Sequence, residues 1–416
     1  MSPSPSILRL SPVAALLVAV ALLSLGHGLL SSALTLRALG AGEDSSGVGI
    51  FMSAHFIGLL VGATTCQKMI MRVGRIRVFA AFASLMSVVS LVHLVVDNLI
   101  AWSLLRFMHG YCFAAIGVVV ESWLNGHALP QTRGRILALY GVVSTLALGG
   151  GQLLLNFAPP SGFALLVLSS ALASLSLLPI ALTGTRREPI KISSVPRLPL
   201  AQMWRLSPLG VTGAVISGAV FASLLALGPV YGRDLGFSRS EIALFMAAPL
   251  VSSVIFQFPL GWLSDQIDRR YVIIGAAGCA ALAAAGLLMD GVFWQQWGLA
   301  LLLGGFFLPL YPLCLSRAND EIGDSALLAT AGAIMMLFAA GSMPAPLLAG
   351  LLMRTWSPAA LFAWISGLLA LLAVFGLWQL FRRPRLLSPA RRFWAAPAAP
   401  TPPMPQIDPR ADKEKD

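Results

Sequence analysis

Gln67–Arg77 reads QKMIMRVGRIR and Gly261–Tyr271 reads GWLSDQIDRRY, and a shift of 194 residues lays one over the other. Each is a short basic turn between two long apolar runs. Working outward from this pair, the chain divides into twelve such runs, at about residues 11–35, 47–69, 78–96, 99–124, 135–156, 162–183, 207–231, 240–263, 271–290, 295–316, 325–349 and 358–381. About 20 apolar residues suffice to cross about 30 Å of hydrocarbon at 1.5 Å per residue, so each run is expected to be a membrane-spanning helix. The first is too long for a cleavable signal and further spans follow it at once.

Composition excludes the other classes. The 416 residues are 57% hydrophobic and 11% charged, with a mean hydropathy of +0.82. Soluble domains carry about 25% charged residues, so a soluble enzyme is ruled out, as is a disordered chain. The net charge of +11 would suggest nucleic acid in a soluble protein. Here the basic residues sit in the gaps between spans, and no nucleic-acid partner is expected. Cys66, Cys112, Cys279 and Cys314 lie in apolar stretches without metal-site spacing and are expected to be small core hydrophobes.

Loop charge orients the chain. With the N-terminus in the cytoplasm, 23 of the 28 Lys and Arg residues fall in cytoplasmic gaps and in the tail. Only Arg37, Arg233, Arg239 and Arg354 fall outside, and Arg106 lies within a span. The positive-inside rule then places both termini in the cytoplasm. The expected fold is an all-α membrane protein with twelve transmembrane helices in two pseudo-symmetric six-helix bundles, residues 1–183 and 207–381. Residues 184–206 form a basic cytoplasmic linker, and the Pro/Ala-rich residues 382–416 a disordered cytoplasmic tail.

The basic turns carry a resemblance to a known family. In the major facilitator superfamily the turn after the second span reads Gly-x-x-x-Asp-Arg/Lys-x-Gly-x-Arg/Lys-Arg/Lys. The second copy keeps Gly261, Asp265, Arg269 and Arg270, with Asp268 at the second glycine position. The first copy keeps Arg72, Gly74, Arg75 and Arg77 but has Gln67 and Met71 for the glycine and the acid. The family's span-four pattern is matched by Arg106, His109 and Gly110, followed by Ala114 and Ala115. The Gly-Pro antiporter signature of span five is missing. Gly26-His27-Gly28, Glu121 to Asn125, Tyr311-Pro312 and Asn319-Asp320 resemble the bacterial YcaD-type subgroup. The resemblance implies two halves rocking about a central site near the midplane.

A charge within a span costs about 2.5–3.5 kcal/mol on insertion scales and is a functional candidate by default. Arg106 and Glu121, both on span four, stand out. Fifteen residues of helix hold them roughly 22 Å apart, so they cannot pair with each other. Arg106 shares a face with His109 and stays charged, so it suits an anionic substrate or biases a nearby proton site. Its structural alternative is an arginine tied to backbone carbonyls or polar groups that locks the first bundle. Glu121 is read first as an inner-gate partner of the turns at Arg72–Arg77 and Arg133–Arg135. A protonatable coupling site and a static anchor remain open for it.

Single histidines in spans are more often packing polars than ligands. His27, between two glycines, is the best exception, and His55 and His93 are read as packing. Gln152, Tyr231, Gln257 and Tyr311 complete the substrate and proton-coupling candidates, with interhelical glue as the alternative. Pro229, Pro312, Pro344 and Pro346 are expected kinks. Met335, Met336 and Met343 are expected to pack. Asp265 is expected to cap the cytoplasmic end of span eleven.

The reading is a monomeric secondary transporter of the bacterial inner membrane that moves a small organic solute by alternating access. Proton coupling is preferred to plain facilitation, and no cofactor, metal or enzymatic activity is expected. A facilitative uniporter and a drug-type exporter stay as alternatives. So do a polytopic membrane enzyme, for which no constellation such as H-E-x-x-H appears, and a non-transporting sensor, which would usually carry a soluble output domain. A P-loop for ATP is also missing.

Overall fold

The computed structural model describes residues 12–127, 133–182, 199–289, 291–322 and 327–382. Among these, every regular element is helical. The first half contains α1 (Pro12–Gly40), α2 (Ser45–Val73), α3 (Arg75–Val92), α4 (Leu99–His127) and α5 (Arg133–Leu153), then α6 (Ala164–Leu175) and α7 (Leu177–Ala181) in line. A short helix, α8 (Leu200–Leu206), precedes the second half. That half contains α9 (Pro208–Asp234), α10 (Arg239–Gln266), α11 (Arg269–Gly286), α12 (Phe293–Phe307) with α13 (Leu310–Ile322), α14 (Leu327–Ser342) with α15 (Ala345–Thr355), and α16 (Ala360–Arg382).

Among the described residues, eleven helical stretches are long and apolar enough to cross a membrane. The helix that falls short, α11, is 18 residues long, opens on Arg269 and Arg270 and is otherwise rich in Ala and Gly. It still stands where a twelfth span is expected, packed against α12 and α16. The 194-residue shift holds through the fold, since both ends of α3 and α11 differ by that amount.

Most spans begin or end where the sequence supplies a cap or a turn. Asp44 accepts from the Gly47 N–H at 2.9 Å and opens α2. Ser238 and Glu241 form a reciprocal capping box at α10. Gly74 separates α2 from α3 at φ 90°, a left-handed conformation that a side chain would strain. Its counterpart Asp268 has φ −58° and caps α11 through the Arg270 N–H instead.

Several expectations need correction. Of the expected kinks, Pro344 marks the break between α14 and α15, and Pro229 lies inside α9, which continues through it. Pro312 sits within α13, and the break before it falls at Leu308–Pro309. Cys66, Cys112 and Cys314 are buried, whereas Cys279 is exposed on α11. On that Ala/Gly-rich helix a thiol on the outer face costs no packing. The linker expected at 184–206 falls largely outside the described residues, as does the tail from 383. The part that is described, α8, is helical, and its Trp204 stacks on Phe375 of α16.

The halves meet through α2 against α15, α5 against α10, and α1 against α9. Ser45 Oγ donates to the Gly350 carbonyl at 2.9 Å, and the Leu347 N–H donates to Ser53 Oγ at 3.2 Å. Arg354 reaches Asp44 at 3.1 Å and Ser46 at 3.3 Å. Ser240 bonds Asn156, and Thr35 bonds the Ala226 carbonyl. All these contacts lie toward the end that holds the α1–α2 connection, opposite the basic turns. Gly49 and Gly350 let α2 and α15 approach there, since a Cβ on either would strike the facing backbone. Nearer the middle, Met335 of α14 packs between Ala63 and Ala114 of the first half, as its packing role implies.

Candidate functional site

Four polar side chains from three helices converge inside the first half. His27 (α1), His55 (α2), His109 and Arg106 (both α4) are all buried, Arg106 completely. The helices meet closely because Gly58 and Gly62 of α2 face Phe107 and Tyr111 of α4, where a Cβ would overlap the backbone. Gly110 in turn faces the His55 backbone and ring. His55 lies three residues before Gly58, on the same helical face, and so points into the α2–α4 seam.

The imidazoles form a stack. The ring centroids of His27 and His55 are 5.0 Å apart, those of His27 and His109 5.4 Å, and those of His55 and His109 5.6 Å. Phe113 closes one side at 4.3 Å from His27. One ligand nitrogen from each histidine lies within 4.8 Å of the others. Arg106 Nη2 reaches Ser31 Oγ at 3.3 Å and lies 3.1 Å from Met52 Sδ. Its Nε and Nη1, both nitrogens of His55 and Nδ1 of His27 and His109 are buried without hydrogen-bond partners. Buried donors and acceptors in that state are costly, and their number in one place makes this cluster the candidate site.

The expected candidates divide accordingly. Arg106, His109 and His27 come together, whereas Gln152 of α5 accepts a hydrogen bond from Ser32, which follows Ser31 onto the α5-facing side of α1. Tyr231 does not join them. It is buried within the second half, donating to the Leu287 carbonyl at 2.8 Å beside Gln296. Gln257 lies on α10 and is buried. Tyr311 is also buried, edge-on to Phe338, and near enough to Glu121 for the two to interact electrostatically. His55 and Met52 were not singled out by sequence. The signal for His55 was its spacing from the Gly58 and Gly62 face. His93 keeps its packing role, with Nδ1 2.7 Å from the Val89 carbonyl.

A second polar cluster sits at the α10–α11 turn. Arg269, buried beneath that turn, donates to Asp320 at 2.6 Å, Asp265 at 3.1 Å and Ser264 at 3.0 Å. Arg270 pairs with Asp268 at 2.7 Å, and Arg317 pairs with Glu321 at 2.6 Å and lies 3.8 Å from Asp268. Burial alone would raise the Asp268 carboxyl. Hydrogen bonds from Arg270 and the charges of Arg270 and Arg317 outweigh it and hold the group below its ordinary value. Gly261 is buried one turn before the Asp265 turn. Asp265 thus faces Arg269, while the start of span eleven that it was expected to cap, residues 323–326, lies outside the described residues. Asp320, Glu321 and Arg317 on α13 were not foreseen as its partners.

The first-half turn is more open. Arg72 and Arg77 are exposed. Arg75 Nε donates to Ser122 Oγ at 3.0 Å, next to Glu121, which is buried. Among the basic residues proposed for Glu121, Arg75 thus reaches its vicinity.

Residues 16–238 and 210–408 both match the family model described as Major Facilitator Superfamily. An uncharacterized MFS-type transporter of Enterobacter sp. (strain 638) is 28% identical over 362 residues, covering 85% of this chain and 92% of that protein. The uncharacterized MFS-type transporter YcaD of Salmonella newport (strain SL254) is 28% identical over 361 residues with the same coverage, 85% and 92%. Among solved structures, the nucleoside transporter NupG aligns with a TM-score of 0.71 at 12% identity, covering 90% of this chain and 100% of that one. A bacterial homolog of the human lysosomal transporter Spinster, in an inward-facing and occupied conformation, aligns with a TM-score of 0.70 at 14% identity, covering 90% and 98%. At such identities the two structures share the fold and nothing more.

Proposed function

Since the chain belongs to the major facilitator superfamily of membrane transporters, we propose that it is a secondary active transporter. It moves a small organic solute across the bacterial inner membrane by alternating access between an N-terminal bundle, residues 1–183, and a C-terminal bundle, residues 207–381. Both termini and the 184–206 linker face the cytoplasm, the chain works as a monomer, and it performs no enzymatic chemistry.

The observation that carries this reading is Arg106, a completely buried guanidinium with two unpartnered N–H-bearing nitrogens among three imidazoles. A fixed charge at that depth is expensive unless an anionic or proton-carrying partner is met there during the cycle. Arg106 with His27, His109 and Gln152 is the proposed substrate and proton-coupling centre. Histidine suits the second role, because it titrates near physiological pH when it gains access to water. The contacts at the α1–α2 end then form the closed outer gate, and the turns at Arg72–Arg77 and Gly261–Arg270, with Glu121, form the inner one. In this arrangement the molecule faces the cytoplasm.

Comparing metabolites of deletion and wild-type cells names the solute. Its flux is then measured in proteoliposomes with and without an imposed proton gradient. Uphill accumulation that a protonophore collapses supports the proposal, whereas a rate indifferent to the gradient leaves only facilitation. For orientation, alkaline phosphatase fused after Asp416 should be inactive and fused near Asp97 active; the reverse pattern refutes the assignment.

A further inference from the structure

We propose that His27, His55 and His109 form a three-imidazole site for a late first-row divalent metal ion, held together with a small carboxylate anion that engages Arg106. Three histidine nitrogens on α1, α2 and α4 already lie within 4.8 Å of one another, in full burial. A tetrahedral ion bound at 2.0–2.1 Å needs its nitrogen ligands about 3.3 Å apart. The rings lie at 20–42° to each other, so the imidazoles must turn about χ1 or χ2 before their in-plane lone pairs meet at one point. Soft and borderline ions of the zinc and cobalt class prefer imidazole, whereas magnesium and calcium require oxygen ligands that these three side chains do not offer.

The unpaired atoms favour this occupant over ordinary packing. His55 is buried with no more than a weak contact to the Arg106 backbone, and Nδ1 of His27 and of His109 are bare. A neutral imidazole always has one accepting nitrogen. Arg106 donates to none of these acceptors in this arrangement, its Nε and Nη1 being unpartnered themselves, while a metal ion satisfies three at once. Charge then dictates the fourth ligand. A divalent ion beside the Arg106 guanidinium is repelled in this low-dielectric interior unless an anion lies between them. Arg106 has Nε and Nη1 buried and free, on different edges of the guanidinium, so either can donate one charge-assisted hydrogen bond to a carboxylate oxygen. Arg106 precedes His109 by three residues on one helical face, and its charge acts on all three imidazoles. In the second half the 194-residue shift puts Phe221, Pro249 and Leu303 at the histidine positions and Ala300 at Arg106, so this chemistry belongs to one half alone.

The test uses the full chain, purified in detergent, stripped with chelator and titrated with Co2+ and then Zn2+ in a buffer free of carboxylates. The expected result is one Co2+ per chain with the intense visible bands of a tetrahedral site, bleached by Zn2+. Added acetate should tighten Co2+ binding at least several-fold in the wild type and not in Arg106→Gln. His55→Gln should weaken binding by more than about tenfold, the least that loss of even a supporting partner costs. His93→Gln, outside the triad, should bind as the wild type does. Absence of tetrahedral bands from wild-type protein overturns the proposal whether or not the variants fold. Unchanged binding in His55→Gln overturns it too, and acetate dependence that survives in Arg106→Gln overturns the anion's place. Binding is read without transport, so a failure here leaves the transport proposal standing, and the reverse holds as well.

Discussion

At a shift of 194 residues, His55 opposite Gly110 in the first half becomes Pro249 opposite Gly304 in the second, and both pairs meet at the same helix crossing. The packing is shared but the chemistry is not. His27, His109 and Arg106 fall on Phe221, Leu303 and Ala300, so the second half is apolar where the first buries its polar cluster. At the basic turns the difference runs the other way. Arg75 and Arg269 occupy the same position, yet Asp265, Asp268 and Asp320, which hold the second-half network, fall on Met71, Gly74 and Gly126. The repeat thus preserves what two helices need in order to cross, a small residue facing a bulky one. It leaves each half free to concentrate polar groups at a different depth, mid-membrane in the first and at the turn in the second.

The largest expected effect comes from removing the mid-membrane charge. Arg106→Ala should abolish transport while the protein still reaches the membrane and extracts as a single species. Arg106→Lys should restore little, because an ammonium replaces the planar fork. Wild-type flux in Arg106→Ala would show that the polar cluster is packing, and the comparison would lose its functional half. A variant that fails to fold would make Arg106 a structural lock of the first bundle.

Next in size is the pair Arg269 and Arg75. Arg269→Ala removes a buried ion-pair partner from Asp265 and Asp320, which are 24% and 12% exposed, and breaking a buried pair costs about 3–5 kcal/mol. Arg75→Ala removes its hydrogen bond to Ser122 and should cost closer to about 1 kcal/mol. Denaturation of the two variants in the same detergent measures the difference. Equal losses would mean that the two turns are equally tied down, contrary to their acid content.

Much of the frame was legible from sequence because its signals are strong. Apolar length gave the spans, and the shift between the two basic turns located the repeat. Arg106, His27 and His109 were marked by the cost of polarity at membrane depth. His55 was passed over because a lone histidine in a span carries no sign of its neighbours, and only the glycine face of α2 hinted at what lay across from it. The partners of Arg269 stayed hidden for a related reason: Asp320 is 51 residues away, on a helix whose end had been read as a loop. The break at Pro309 was missed because proline at the start of a helical turn looks, in sequence, like proline within one.

A smaller effect is expected at Asp265, the acid that the family signature singles out. Asp265→Asn leaves Arg269 its 2.6 Å pair with Asp320, so stability should fall by only about 1 kcal/mol. Transport should nevertheless slow, since the acid ties the turn between α10 and α11, and Met71 offers no equivalent in the first half to compensate. Initial rates normalised to membrane abundance provide the check. Unchanged turnover would reduce the second-half network to a static anchor.

The smallest effect concerns the opposite end, where Asp44 and Arg354 join the halves. Their side chains are 45% and 60% exposed, and such pairs contribute about 0.2–1 kcal/mol. The Ser46 hydroxyl at 2.6 Å, with help from the Gly47 N–H and Arg354, holds the Asp44 carboxyl below its ordinary value of 3.8, against a smaller opposing effect of burial. A depressed carboxyl contributes stability that is fully present above the unfolded value and is lost as pH falls through the folded one. This contact should therefore be indifferent between pH 6 and 8 and weaken only below about pH 4. Asp44→Asn isolates the charge, because asparagine still caps α2. A double-mutant cycle with Arg354→Ala should give a coupling of a few tenths of a kcal/mol that shrinks with added salt. A coupling above about 2 kcal/mol would mean that water is excluded from the pair. The end where the halves meet would then hold a buried charge pair like the α10–α11 turn, and the contrast between bundle and seam would need redrawing.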